Sequence, residues 1–130
     1  MENVTVYSFI EQDRPVLEAE LRGVEKYPAI RVKIYVYQLP GGIYVQGDFK
    51  NMPVNSDFEF HVHEGEICEN KGEKILILPD VMSDGAGSAS AQVYLDRITP
   101  AAIAGRPIVV HLKTGSGDET VACGLLRRVL

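Results

Sequence analysis

The stretch Ile30-Arg31-Val32-Lys33-Ile34-Tyr35-Val36-Tyr37-Gln38-Leu39-Pro40-Gly41-Gly42-Ile43-Tyr44-Val45-Gln46-Gly47-Asp48-Phe49-Lys50 decides the fold class. Ile30, Val32, Ile34 and Val36 alternate with Arg31, Lys33, Tyr35 and Tyr37, so the apolar side chains fall on one face of an extended strand. Leu39-Pro40-Gly41-Gly42 is a turn cluster, and Ile43, Val45, Gly47 and Phe49 resume the alternation beyond it. Two half-buried strands joined by a tight turn make a hairpin.

Working outward, the same period of two marks Leu17-Ala19-Leu21, Phe58-Phe60-Val62, Ala89-Ala91-Val93-Leu95, Ile108-Val110-Leu112 and Val121-Cys123-Leu125, with shorter candidates at Val4 to Phe9 and Ile75 to Leu78. Only Thr99-Pro100-Ala101-Ala102-Ile103-Ala104 suits a helical turn, with Thr99 as cap, Pro100 at the first helical position and Gly105 as the stop. One turn is too little for an α/β fold. The expectation is an all-β domain of about eight strands, closed as a sandwich or barrel with Greek-key connections. Ser83 to Ser88 and Thr114 to Asp118 read as tight polar loops.

A chain of 130 residues makes one domain, taken as 1–130. Its apolar runs are too short for a membrane-spanning helix. A net charge of −5 repels a phosphate backbone, so neither nucleic acid nor membrane is expected as a partner. The first residues carry no secretory signal, which makes cytoplasm the default compartment, or the exterior if a leader has been trimmed.

The histidines carry the chemistry. In Asp57-Phe58-Glu59-Phe60-His61-Val62-His63 the even positions take the core face, which leaves Glu59, His61 and His63 pointing outward. Residues two apart on a strand stand ~6.6 Å from one another, a gap two imidazoles bridge by converging on one ion. His111 also points outward, because Ile108, Val110 and Leu112 take the core. His61, His63 and His111 are therefore candidate metal ligands for copper, zinc or nickel, which spacing alone does not separate. The plain alternative is three surface histidines on a polar face.

Phe60-His61-Val62-His63-Glu64 resembles the copper-binding strand of copper-zinc superoxide dismutases. Gly105-Arg106-Pro107-Ile108-Val109-Val110-His111 is similar to a second ligand-bearing strand of that family, and Val121-Ala122-Cys123-Gly124 to its C-terminal cysteine segment. The resemblance is clearest over residues 16–128. It implies an eight-stranded Greek-key barrel or immunoglobulin-like sandwich, copper on His61, His63 and His111, and a disulfide between Cys68 and Cys123. By loop entropy such a bridge contributes ~4 kcal/mol; the alternative is two buried thiols.

The departures matter as much. The family's metal-bridging histidine and its zinc ligands have no counterpart, since Lys74-Ile75-Leu76-Ile77-Leu78-Pro79 puts a lysine and an isoleucine where the family places zinc ligands. The family's substrate-guiding arginine corresponds to Thr120, and only Leu112 to Ala122 separate His111 from Cys123. No zinc is expected. What the resemblance implies is a copper-only site that dismutates superoxide, its small-molecule substrate, to oxygen and hydrogen peroxide. The rate should lie below that of fast dismutases, because protons must come from water and Glu59, Glu64, Glu66 and Glu69 repel an anion. The other reading is a barrel of the same fold that binds copper or a protein partner without turnover. A homodimer is compatible with the sequence, and outward Tyr35, Tyr37, Tyr44 and Tyr94 are read as stacking across strands rather than as its interface.

Overall fold

The computed structural model describes residues 14–114 and 117–129. It is all-β and antiparallel, and one sheet holds all its strands. In chain order these are β1 (Leu17–Gly23), β2 (Arg31–Leu39), β3 (Gly42–Lys50), β4 (Asp57–His63), β5 (Lys74–Ile77), β6 (Val81–Met82), β7 (Ala89–Asp96), the single helical turn α1 (Pro100–Ile103), β8 (Pro107–Thr114), β9 (Gly117–Leu125) and β10 (Arg127–Arg128). The expected Val4 to Phe9 strand lies outside the described residues.

The hairpin forms where the alternation puts it, with β2 and β3 in register from Arg31↔Lys50 to Leu39↔Gly42. Pro40 and Gly41 make the turn, and Gly41 takes φ 81°, the left-handed value that a proline-then-glycine turn requires at its second central position. A side chain there would strain the backbone. Tyr37, Tyr44 and Tyr94 line up as one cross-strand row over β2, β3 and β7, and the Tyr37 and Tyr44 rings pack 6.4 Å apart. Tyr37 is covered well enough to count as buried, more than its outward parity suggests.

Strand order across the sheet is β5-β4-β8-β9-β1-β2-β3-β7, with β6 on β4 and β10 on β1. The chain passes from one end of this order to the other between β3 and β4, β6 and β7, and β7 and β8. The sheet curls, because Leu17, Leu21 and Ile34 from its middle pack in one cluster with Phe49 from β3 and Phe58 and Phe60 from β4. Phe49 and Phe60 meet edge to face at 5.5 Å, in the arrangement aromatic pairs favour. Each fully buried phenylalanine contributes about 1.5–3 kcal/mol of hydrophobic stabilisation, so these contacts hold the two ends of the order together.

Three local expectations change in detail. Thr99 occupies the cap position of α1 but makes no side-chain cap bond, and Ala104 follows the last helical residue before Gly105 turns the chain at φ 79°. The loop expected over Thr114 to Asp118 is shorter, since β8 runs to Thr114 and β9 begins at Gly117. The strands β6 and β10 are two residues each and leave no period to read.

Candidate metal centre

Register assembles the site from three strands. On β4, Phe58, Phe60 and Val62 enter the core, and Glu59, His61 and His63 take the other face. Across β4 and β8, Glu59 stands opposite His111 and His61 opposite Val109. Across β8 and β9, Val109 stands opposite Cys123 and His111 opposite Thr120. The register slips between Val110 and His111, a bulge that lets one extra residue of β9, Val121, turn inward and sets Thr120 beside the His111 ring.

The histidines face away from the core as parity requires, yet they are not on the surface. His61 is 0%, His63 4% and His111 8% exposed, which corrects the expectation of an open exterior site. A cover closes over this face. The segment of residues 64–73 leaves β4, folds on itself through Glu64 N–H to the Glu73 carbonyl (2.8 Å) and Gly65 N–H to the Lys71 carbonyl (2.7 Å), and returns as β5. Arg106 donates to the Glu64 carbonyl from the start of β8. Cys68 in this segment is bonded to Cys123, with their Cα atoms 6.1 Å apart. Because Cys123, Val109 and His61 lie in one cross-strand row, the bridge fastens this segment to the sheet two strands from His61, while its Gly72 carbonyl meets the His63 ring.

Inside, the three rings form a compact triangle. Their centroids are 5.0 Å apart for His61 and His111, 6.0 Å for His63 and His111, and 6.1 Å for His61 and His63. One ring nitrogen from each lies within 4.8 Å of the other two, close enough for a single ion to take all three.

The second nitrogen of each ring meets a different group. His63 Nδ1 donates to the Gly72 carbonyl at 2.8 Å, which fixes the proton on Nδ1 and leaves Nε2 with a lone pair. Thr120 Oγ1 lies 3.3 Å from His111 Nδ1. Glu59 Oε1 lies 2.7 Å from His61 Nε2, oblique to the ring N–H axis. Beyond Glu59 the charges continue outward, with Lys113 Nζ 3.9 Å from its other oxygen and paired on to Asp80. Both nitrogens of His61 and Nε2 of His63 are fully buried with no aligned hydrogen-bond partner among the described residues, so Glu59 meets His61 Nε2 as a close charge contact.

Burial holds the His61 imidazole below its ordinary pKa, aided by the positive charge of Lys74, while Glu59 pulls the other way. The neutral ring is thereby favoured, and that is the form in which imidazole binds a metal. Sequence reading identified the three histidines and missed what holds them. Gly72 is nine residues from His63, and Thr120 reaches His111 only through the β9 bulge. Glu59 did carry a signal: it sits two residues before His61 on the same face, which parity alone reveals.

No family model matches the chain, and no curated protein matches it.

Proposed function

We propose that the chain is a superoxide dismutase-like protein that holds one copper ion on His61, His63 and His111 and dismutates superoxide there. The observation that carries this reading is the triangle itself: each of the three buried rings offers a nitrogen within 4.8 Å of the others, and His61 and His63 carry buried nitrogens without a hydrogen-bond partner. A buried polar atom without a partner costs about 1–3 kcal/mol, and a coordinated ion removes that cost. An all-imidazole donor set suits copper, zinc or nickel. The likeness of Phe60 to Glu64, of Gly105 to His111 and of Val121 to Gly124 to copper-zinc superoxide dismutases favours copper among these. The Cys68–Cys123 bridge and the strand order with its end-to-end crossings support a Greek-key barrel of that kind.

Copper held on His61, His63 and His111 would supply a one-electron couple for the two half-reactions of dismutation. The chain's own residues set how well this runs. All three histidines of the sequence are spent on the one triangle, so no fourth imidazole is left to hand a proton to peroxide, and water must supply it. Glu59 places negative charge beside His61 and Lys113 offsets part of it. The disulfide favours an oxidising compartment over the cytoplasmic default.

A second reading, copper held without turnover, is favoured by the near-complete burial of the rings and by the Glu59 carboxylate, both of which hinder an anion. Superoxide consumption by copper-loaded protein and by its His111→Ala variant separates the two. Dismutation predicts a rate well above that of the variant. Equal rates contradict it, and if the wild type still retains copper the second reading stands.

A further inference from the structure

We propose that Glu59 is the positioning residue of the histidine triangle: it keeps the proton of His61 on Nε2 and so turns the Nδ1 lone pair into the site. The inference rests on the reading of the triangle as a metal centre and names the group that sets its donor atoms.

Three observations converge on Glu59. Its Oε1 stands 2.7 Å from His61 Nε2. At that distance a bare nitrogen lone pair and a carboxylate oxygen repel one another, so the stable tautomer carries hydrogen on Nε2, and Nδ1 is left as the donor atom. Next, the carboxylate is held in place. It sits two residues from His61 on β4, its side chain is 23% exposed, and Lys113 from β8 lies 3.9 Å from its second oxygen. Lys113 is itself paired with Asp80, so a chain of alternating charge runs from the protein exterior to the His61 ring.

The third observation is burial. His61 is the most deeply buried of the three rings, and a full charge stands at its edge. His63, by comparison, is held by a neutral backbone carbonyl. A carboxylate behind a ligating imidazole fixes the ring's tautomer and raises the basicity of its donor atom, and losing such a partner commonly weakens metal binding 10–100-fold. Glu59 thus does for His61 what no feature of the sequence motif provides.

Long-range nitrogen–proton correlation spectra of the metal-free protein test this without any metal or turnover. The expected result is His61 protonated on Nε2 in the wild type and shifted towards Nδ1 protonation or a mixture in Glu59→Ala, with His63 unchanged as the internal reference. The isosteric Glu59→Gln variant guards against a folding defect and shifts in the same direction to a smaller extent. Titration with Cu(II) then gives an affinity roughly 10–100-fold weaker in Glu59→Gln than in the wild type, while Glu20→Gln, the same charge change on the exposed face of β1, leaves it unaltered. A His61 tautomer identical in the wild type and both Glu59 variants overturns the proposal. Should the wild type take up no Cu(II) while its His61 tautomer still follows Glu59, the metal reading fails and the positioning role holds.

Discussion

His61 and Cys123 lie in the same cross-strand row, two strands apart with Val109 between them, so the disulfide and the candidate metal centre share one patch of the sheet. The bridge closes a loop of sequence separation 55 and at the same time ties down the segment whose Gly72 carbonyl holds the His63 ring. Stability and the holding of the site are therefore coupled.

Removing the bridge tests that coupling. Cys68→Ser is expected to lose about 4 kcal/mol of unfolding free energy by the loop-entropy relation, read from denaturant midpoints. It is also expected to make the histidines react readily with diethyl pyrocarbonate, which they resist in the oxidised wild type. Loss of stability without any gain in histidine reactivity would show that the cover stays closed on its own hydrogen bonds.

The core makes a separate prediction. Phe60 is fully buried beneath the site and packs edge to face on Phe49. Phe60→Ala should cost about 3–5 kcal/mol in chemical denaturation, the range for truncating a buried aromatic. Ile77→Ala, at a position 67% exposed on edge strand β5, should change stability by less than about 1 kcal/mol. Similar losses for both would contradict the placement of the core inside the curl.

A pH dependence follows from Asp84. Its Oδ1 accepts N–H bonds from Ser88 and Ala86, each at 2.9 Å, and these hold its carboxyl below the ordinary value of 3.8. Because the folded value lies below the unfolded one, the stabilisation is present above the unfolded value and is lost as pH falls through the folded value. Asp84→Asn should therefore melt below the wild type at pH 7, and the gap should close in strong acid. A gap that persists or widens in acid would contradict the assignment.

How much of this was legible in the sequence depends on which interaction decided each feature. The β2–β3 hairpin was readable because one face of each strand is buried throughout, from Val32 to Val36 and from Ile43 to Phe49, and burial writes itself as a period of two. The face of the histidines was readable for the same reason. Their burial was not, because alternation tells which side a residue takes and says nothing about what later covers that side. Thr120 at His111 was hidden too, since a bulge in β9 sets that contact and bulges leave no trace in the spacing of a single strand. The pairing of Cys68 with Cys123 came with the family likeness; the sequence by itself leaves two thiols equally open.

The central claim is that one copper ion is held by the nitrogens of His61, His63 and His111. Electron paramagnetic resonance of the Cu(II)-loaded protein, with copper counted per chain, tests it most directly. The account predicts one copper per chain, nitrogen hyperfine structure from three imidazoles, and loss of that signal in His61→Ala, His63→Ala and His111→Ala alike. Substoichiometric copper, or a spectrum unchanged by those substitutions, would contradict it.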